Sequence, residues 1–345
     1  MPAALCICRN DVRTVVQAER LRDAPPLWPY VRSMDQRIPV DEGTSRAWVA
    51  VAQGARMAQH ILQHIGDPPP ESNFALVNSL YANEKASDWH RSYLAAALEH
   101  LIVWADFAAP LKFHPEQQIT HTFRPAYTLG RAAIEAASQA VWMTSGNSAH
   151  ECARRHLSLI RWDYTEHRKS LVGDVDAQKR VTDMDAQLLD RTARQFSEKE
   201  LQPPSHYAVL RATAQLVDLE PDQLERIWRA ASGSAHGKVW PSLALQHVVP
   251  LSEYEQGQFR TLRIPDLDGM TEVLEVAEKL TMQGVLRHAD FCKADIPRLI
   301  EEARVWLASV ITFREDADPD ALARLMRREQ CDPGSAAGST LGPPW

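Results

Sequence analysis

The sequence lacks the local motifs that mark the best-defined cofactor and metal sites. It contains no GxGxxG or GxxxxGK[ST] loop, which excludes the glycine-cradled phosphate sites. It contains no HExxH motif and no DDxxD run, and no glutamate is followed three residues later by a histidine. We therefore expect no cofactor and no metal.

Cysteine is scarce and long apolar runs are missing. There are five cysteines in 345 residues, without a CxxC pair, and an odd, unpaired set is typical of a reducing, intracellular environment. No apolar run approaches the roughly 20 residues that span a bilayer. Charged residues occur too soon after the N-terminus for a secretory signal. These absences predict a cytoplasmic protein without a membrane partner.

Excess positive charge is also missing. The formal net charge is −7 and the pI is about 6.0, which excludes a protein that coats nucleic acid or an anionic membrane non-specifically. The net charge does not exclude a local basic groove. Arginine outnumbers lysine 30 to 8, a bias typical of a high-GC bacterial genome.

What is present is helical periodicity. Apolar residues recur at steps of three and four through most of the chain, as in Trp48, Ala52 and Ala55, after a cap predicted at Thr44 or Ser45. Two short strand-like runs, near 243–249 and 258–264, flank a polar turn and predict a hairpin. The predicted fold class is all-α: a single multi-helix, bundle-like domain with a small β-hairpin insertion.

The domain boundaries follow from composition. Residues 1–40, with a short helix predicted around Val12, Val15 and Val16, form a loosely attached N-terminal extension. Residues 41–329 form the helical domain, whose last short helix is predicted to open at Asp318. Residues 330–345 have the composition of a disordered tail. No period of 20–50 residues repeats, which excludes a solenoid.

One stretch, RAASGSAHG, places an arginine and a histidine seven positions apart with only small residues between them. On a helix, Arg229 and His236 would point the same way, about 10 Å apart along the axis, with Ser232 between them on the same stripe. Small residues let another helix approach closely. The spacing predicts a polar Arg-Ser-His site enclosed by a neighbouring helix.

This pattern resembles the HEPN superfamily, whose ribonuclease members carry an Arg-x(4–6)-His motif on a late helix of an all-helical domain. The likeness covers about residues 120–245, with Ala230 where the family often has a polar residue. It implies metal-independent RNA cleavage by a homodimer, with His236 moving a proton, Arg229 stabilising phosphate charge and Ser232 assisting. The order GRAAIEAASQAVW, ECARRHL, SGSAHG also resembles a group of actinobacterial helical proteins.

The densest basic region lies elsewhere in the chain. Arg154, Arg155 and Arg161 fall within 8 residues of one predicted helix. In a ribonuclease they would be the substrate-binding surface that guides phosphates. The alternative is a solvated helix face.

Purely structural roles are the alternative for the remaining polar and aromatic candidates. Gly237 is a candidate glycine closing the helix at His236, and Arg229 is placed to pair with Glu225. Arg131 and Glu135 are predicted to form a buried pair, and His60 and His64 lie four apart without a visible third metal ligand. Core positions are predicted for four tryptophans: Trp142, Trp162, Trp228 and Trp240.

Three functions stay open on the sequence. The first is a toxin or defence endoribonuclease acting on RNA, with a cognate antitoxin or other protein as partner. The second is a non-catalytic helical adaptor or regulator in which the same residues cap and pack. The third is a helical small-molecule enzyme with an aromatic pocket.

Overall fold

The structure, a computed structural model, describes residues 39–111 and 119–311, together with the backbone of residues 14–17, 19–20 and 37–38. The described helices are α1 (Glu42–His64), α2 (Asn73–Leu80), α3 (Ala86–Ala108), α4 (Phe123–Thr144), α5 (Ala149–Ser170), α6 (Val175–Thr192), α7 (His206–Ala214), α8 (Pro221–Ala235), α9 (Val239–Ala244), α10 (Leu267–Phe291) and α11 (Ile296–Val310). The described strands are β1 (Thr14–Gln17), β2 (Glu19–Arg20), β3 (Arg37–Pro39), β4 (Ile119–His121), β5 (Gln246–Glu255) and β6 (Gln258–Pro265). The predicted all-α class with a small hairpin is confirmed.

Side-chain caps fix where several helices begin. Ser72 caps α2 by accepting a hydrogen bond from the Ala75 N–H, as a serine before a helix predicts. The prediction for α1 is wrong by three or four residues. Its cap is Asp41, whose carboxylate accepts hydrogen bonds from the Thr44 N–H (2.9 Å) and the Thr44 hydroxyl (2.6 Å). Thr44 therefore lies in the first turn and supports the cap.

The described strands form two three-stranded sheets. In one, β1 lies between β3, with which it is antiparallel, and β4, with which it is parallel. In the other, β6 lies between β2 and β5 and is antiparallel to both. The hairpin of β5 and β6 is confirmed, and Gly257 adopts a φ of +76° in its turn. The first sheet was not predicted, because its strands are short and pair across distant parts of the chain.

The N-terminal segment differs from the prediction. Val15 and Val16 lie in β1 and not in a helix, as β-branched residues prefer. Its described strands pair with β4 and β6 of the helical domain. Val12, the predicted helix at Asp318 and the tail over 330–345 lie outside the described residues.

Two large apolar clusters and a third, small one form the core of the described residues. The first joins α1, α3, α4, α8 and α10, and its largest members include Trp48, Trp104 and Tyr127. The second joins α1, α2, α3, α5 and α10 around residues such as Phe74 and Leu157. Burial of each such side chain contributes roughly 1.5–3 kcal/mol. The end of α8 is thereby held beside α4 and α10. None of the described helices combines the length and the apolar character needed to cross a membrane.

Candidate functional site

Helix α8 carries the Arg-Ser-His stretch and runs without a break to Ala235. It starts with Pro221 in its first turn, where the missing N–H costs no hydrogen bond. His236 is its C-cap, with φ −84° and ψ 11°. Gly233 therefore does not interrupt the helix, and Arg229 and His236 belong to one continuous element.

The end of α8 is closed by a glycine. Gly237 has a φ of +65°. Its N–H donates to the Ser234 carbonyl (3.1 Å), and the Lys238 N–H donates to the Gly233 carbonyl (2.9 Å). These two bonds form a Schellman motif. The interpretation of Gly237 as the closing residue is confirmed.

The small residues of α8 make room for α9. Gly233 is buried, and a Cβ there would lie 2.8 Å from Cζ2 of Trp240 and 2.9 Å from Cγ of Pro241. Arg124 on α4 secures the junction by donating to the Ser234 carbonyl (2.9 Å) and to the Ser242 hydroxyl (3.0 Å). The small residues therefore make room for the chain's own α9, which covers the Gly233 face of α8. Arg229 and His236 are exposed, so the prediction that a neighbouring helix encloses the Arg-Ser-His stripe is wrong.

The three predicted catalytic residues lie along α8, and no hydrogen bond or ion pair joins their side chains in the described structure. Arg229 is exposed and donates from Nε to Oε1 of Glu225 (2.7 Å), which was the predicted pair. Ser232 is half-buried and His236 is exposed. Their catalytic assignment stays a prediction.

A cleft of about 420 Å³ opens beside α8, within the size range of ligand pockets. Arg226, Ile227, Arg229 and Ala230 form its α8 wall. The opposite walls come from three other helices and the residue after α9, and they consist of Tyr127, Trp240, Leu245, Gly269 and Glu272. Of the predicted catalytic residues, only Arg229 lines the cleft.

The two arginines of the cleft differ in their partners. Arg229 is paired with Glu225, whereas Arg226 has no hydrogen bond or ion pair among the described residues. They are three positions apart on a helix and therefore lie on neighbouring turns of one face. One wall of the cleft thus carries two guanidinium groups, and one of them is without a counter-charge.

The inner end of the cleft is polar in another way. Tyr127 is 2% exposed, and its hydroxyl has no hydrogen-bond partner among the described residues. Burial, together with the carboxylates of Asp266 and Glu272, raises the pKa of this phenol above its usual range. Glu272 accepts a hydrogen bond from the side chain of Gln223 (2.8 Å). The cleft lining therefore offers a neutral hydrogen-bond donor, the Tyr127 hydroxyl, and an acceptor, the Glu272 carboxylate.

The predicted substrate-binding arginines are engaged inside the protein. Arg154 donates from two nitrogens to the two oxygens of Glu151 (both 2.7 Å), and Arg155 donates to the same carboxylate (2.7 Å) and to the Trp142 carbonyl (2.9 Å). The hydrogen bonds from Arg154 and Arg155 lower the pKa of Glu151 to about 2, although burial opposes this.

Arg161 is held even more firmly. It is buried and donates to both oxygens of Asp185 (2.7 and 3.0 Å) and to the Leu201 carbonyl (3.2 Å). None of the three arginines matches the solvated face of the alternative interpretation, since each donates to a carbonyl of another segment. Arg154 donates to the Glu200 carbonyl (2.9 Å), Arg155 to that of Trp142 and Arg161 to that of Leu201. Their role in substrate binding stays a prediction.

The tryptophan prediction holds in part. Trp142 is 9% exposed and belongs to a small buried cluster. Trp162 and Trp228 are half-buried and lie near His206, with ring centroids 4.4 and 6.2 Å from the imidazole. The core prediction for Trp240 is wrong, because this residue is 47% exposed. It lies on the short α9, where one edge of the indole covers Gly233 and the rest faces the cleft and solvent.

The other paired candidates have structural contacts. Arg131 and Glu135 form the predicted pair (2.9 Å), with about a fifth of each side chain exposed, and Glu135 also accepts from the Trp228 indole (2.7 Å). His60 and His64 stack with centroids 4.0 Å apart. The described residues contain no group of three or more histidine, cysteine, aspartate or glutamate side chains arranged to hold a metal.

A buried pair of histidines was not predicted from the sequence. His90 and His288, both at most 1% exposed, share a hydrogen bond between their Nδ1 atoms (3.1 Å). Burial lowers the pKa of each, that of His288 to about 3. The two residues are 198 positions apart, so no local pattern signals the pair.

The fold and the cleft define an all-α protein with an arginine-lined cleft between four helices. Comparison with models of protein families, with curated proteins and with solved structures finds no match for this chain. The likeness to HEPN domains therefore stays a prediction.

Proposed function

We propose that the protein is a metal-independent endoribonuclease of toxin or defence type, a homodimer of the bacterial cytoplasm, in which Arg229 and His236 are catalytic. The observation that supports this most is the unbroken course of α8 from Pro221 to Ala235. It keeps two exposed side chains on one element, and the arginine borders a cleft. Ser232, half-buried between them, assists by hydrogen bonding.

The chemistry balances without a metal. The 2′-oxygen of a ribose forms a bond to phosphorus while the bond from phosphorus to O5′ breaks, which leaves a 2′,3′-cyclic phosphate and a 5′-hydroxyl. The imidazole of His236 accepts the 2′-hydroxyl proton, and the imidazolium returns a proton to O5′. The guanidinium of Arg229 stabilises the charge on the pentacoordinate phosphate.

The ion pair between Arg229 and Glu225 does not block this role. Side-chain exposure is 60% for Arg229 and 20% for Glu225, and an exposed pair of this kind contributes only about 0–1 kcal/mol. A phosphodiester offers the guanidinium two oxygens and a full negative charge. Glu225 also lies 3.6 Å from Arg211, which keeps it neutralised when Arg229 turns to a phosphate.

The direct test is cleavage of RNA in the presence of EDTA. Because general acid–base catalysis contributes about 100- to 10,000-fold, we expect His236→Ala to lower the rate at least 100-fold. The matched control is His167→Ala, which removes another exposed histidine from the last turn of α5 and should leave the rate unchanged. Overexpression of the active protein should inhibit growth, and His236→Ala should relieve the inhibition.

Two outcomes would contradict the proposal. One is cleavage that requires added metal. The other is an equal rate in the wild type and His236→Ala, which would trace the activity to a contaminant.

A non-catalytic regulator is the second candidate, favoured by the Schellman closure at Gly237 and by the pairing of Arg229 with Glu225. In that case α8 serves packing alone. We then expect no RNA cleavage by any variant and no growth inhibition. Thermal denaturation of Arg229→Ala would show a small loss of stability as the only effect.

A further inference from the structure

The inner end of the cleft holds a donor without an acceptor. Tyr127 is almost fully buried, yet its hydroxyl has no partner among the described residues. A buried hydroxyl without a partner costs about 1–3 kcal/mol. Gly269 lets the hydroxyl lie against α10, because a Cβ there would be only 2.6 Å from the hydroxyl oxygen. Since Tyr127 and Gly269 both line the cleft, this hydroxyl is the group that we expect a ligand in the cleft to satisfy.

The outer end of the cleft carries positive charge, which favours an anion. Arg226 is exposed and without an ionic partner in the described structure, and Arg229 lies one turn further along the same face. Guanidinium groups bind phosphate oxygens with two parallel hydrogen bonds. Glu272, at the inner end, repels a phosphate and accepts hydrogen bonds from amino or imino groups. The cleft therefore orients a ligand with its anion at the arginines.

The rest of the cleft lining is aromatic and apolar. Trp240 is 47% exposed, and Ile227 and Leu245 complete this part of the lining. Exposed tryptophans are platforms for unpaired bases, which stack on them with little dependence on sequence. A base within a duplex cannot enter, because its faces are covered by its neighbours.

We propose that the cleft is a subsite for one unstacked base of single-stranded RNA, with the base between Trp240 and the Tyr127 hydroxyl and the adjacent phosphate on Arg226. The subsite rests on the proposed function for the identity of its ligand as the RNA that is cleaved. It assigns roles to Tyr127, Arg226 and Trp240, which lie outside the Arg-Ser-His stretch. Base capture positions the next phosphodiester near Arg229.

The test separates binding from cleavage by using a 2′-O-methyl RNA hexamer of mixed sequence, which has no 2′-hydroxyl to react. Fluorescence anisotropy of the labelled hexamer gives the dissociation constant. We expect Tyr127→Phe and Trp240→Ala each to weaken binding about tenfold, and Arg226→Gln to weaken it and reduce its salt dependence. The same sequence annealed to its complement should bind at least tenfold more weakly.

Matched variants control for general damage. Tyr254→Phe removes the hydroxyl of a hairpin tyrosine, and Trp306→Ala removes a tryptophan stacked on His60; both should bind as the wild type does. Tyr127→Phe should fold and be at least as stable as the wild type, because it removes a buried hydroxyl that has no partner. Unchanged affinity in Tyr127→Phe and Trp240→Ala, or equal affinity for single strand and duplex, would overturn the subsite.

The two proposals fail separately. Binding of the hexamer that depends on Tyr127 and Trp240, without cleavage of ordinary RNA, retains the subsite and rejects the ribonuclease. Cleavage that depends on His236, with binding indifferent to Tyr127 and Trp240, retains the ribonuclease and rejects the subsite.

Discussion

Helices α5 and α8 carry the same residue types and use them in opposite ways. On α5, Arg154 and Arg161 are held by carboxylates and carbonyls of other residues, and His156 is buried. On α8, Arg226 and His236 are exposed. The denser basic run therefore holds the fold together, whereas the sparser one borders the cleft. The surroundings of each side chain decide its role, and the local density of charge does not.

The largest effect is expected when the ion pair and hydrogen bonds of Arg161 on α5 are removed. Replacing Arg161 with alanine removes the donors to Asp185 and to the Leu201 carbonyl. The side chain of Asp185 keeps 30% exposure, so we expect a loss of about 3 kcal/mol, at the low end for a broken buried pair. Urea denaturation followed by circular dichroism measures this loss.

The control for this variant is Arg298→Ala, which removes an exposed partner of Glu302 on α11. It should cost less than about 1 kcal/mol. Equal losses in the two variants would mean that the contacts of Arg161 are worth no more than a surface ion pair.

The second prediction concerns the buried histidine of α5. The Nε2–H of His156 donates to the Glu84 carbonyl (2.8 Å). Burial lowers the pKa of the imidazole to about 4. Because the folded state favours the neutral ring, its stability is full above pH 6.5 and falls as the pH drops from 6.5 towards 4.

At pH 5 this histidine alone should cost about 2 kcal/mol relative to pH 7.5. His156→Gln keeps a donor for Glu84 and removes the titration, so its free energy of unfolding should fall less on acidification. Urea titrations at both pH values measure the difference. An identical pH dependence in the variant and the wild type would show that His156 does not titrate in this range.

The smallest of the three effects concerns the end of α8. Gly237→Ala places a Cβ on a residue with φ +65°, which costs about 1 kcal/mol in the left-handed region. The substitution should also loosen the cap at His236 and lower RNA cleavage. Gly66→Ala, at another helix end with open space around it, provides the comparison by thermal denaturation. Equal stability of the two variants would contradict the role given to Gly237.

Much of the fold was predictable because its determinants are local. Ser72 before α2, Pro221 in the first turn of α8 and Gly257 in the hairpin turn act within a few residues of themselves. The start of α1 was missed because Thr44 resembles a cap in sequence, while Asp41 performs the capping. The first sheet was missed because β1 pairs with β4, more than one hundred residues away.

The site was predictable only along α8. The spacing of Arg229, Ser232 and His236 can be seen in the sequence, and so can Glu151 at three and four positions before Arg154 and Arg155, which signals that these arginines are paired. The cleft gives no such signal. Tyr127 and Arg226 line one cleft only because α4 packs against α8, and periodicity marks Tyr127 as an ordinary core residue.

The measurement that tests the central claim most directly is RNA cleavage in EDTA by the wild type, His236→Ala and His167→Ala, prepared in parallel. If α8 is catalytic, the wild type and His167→Ala release fragments with 2′,3′-cyclic phosphate and 5′-hydroxyl ends, and His236→Ala is at least 100-fold slower. Intact RNA in all three reactions, or equal cleavage in all three, would contradict it.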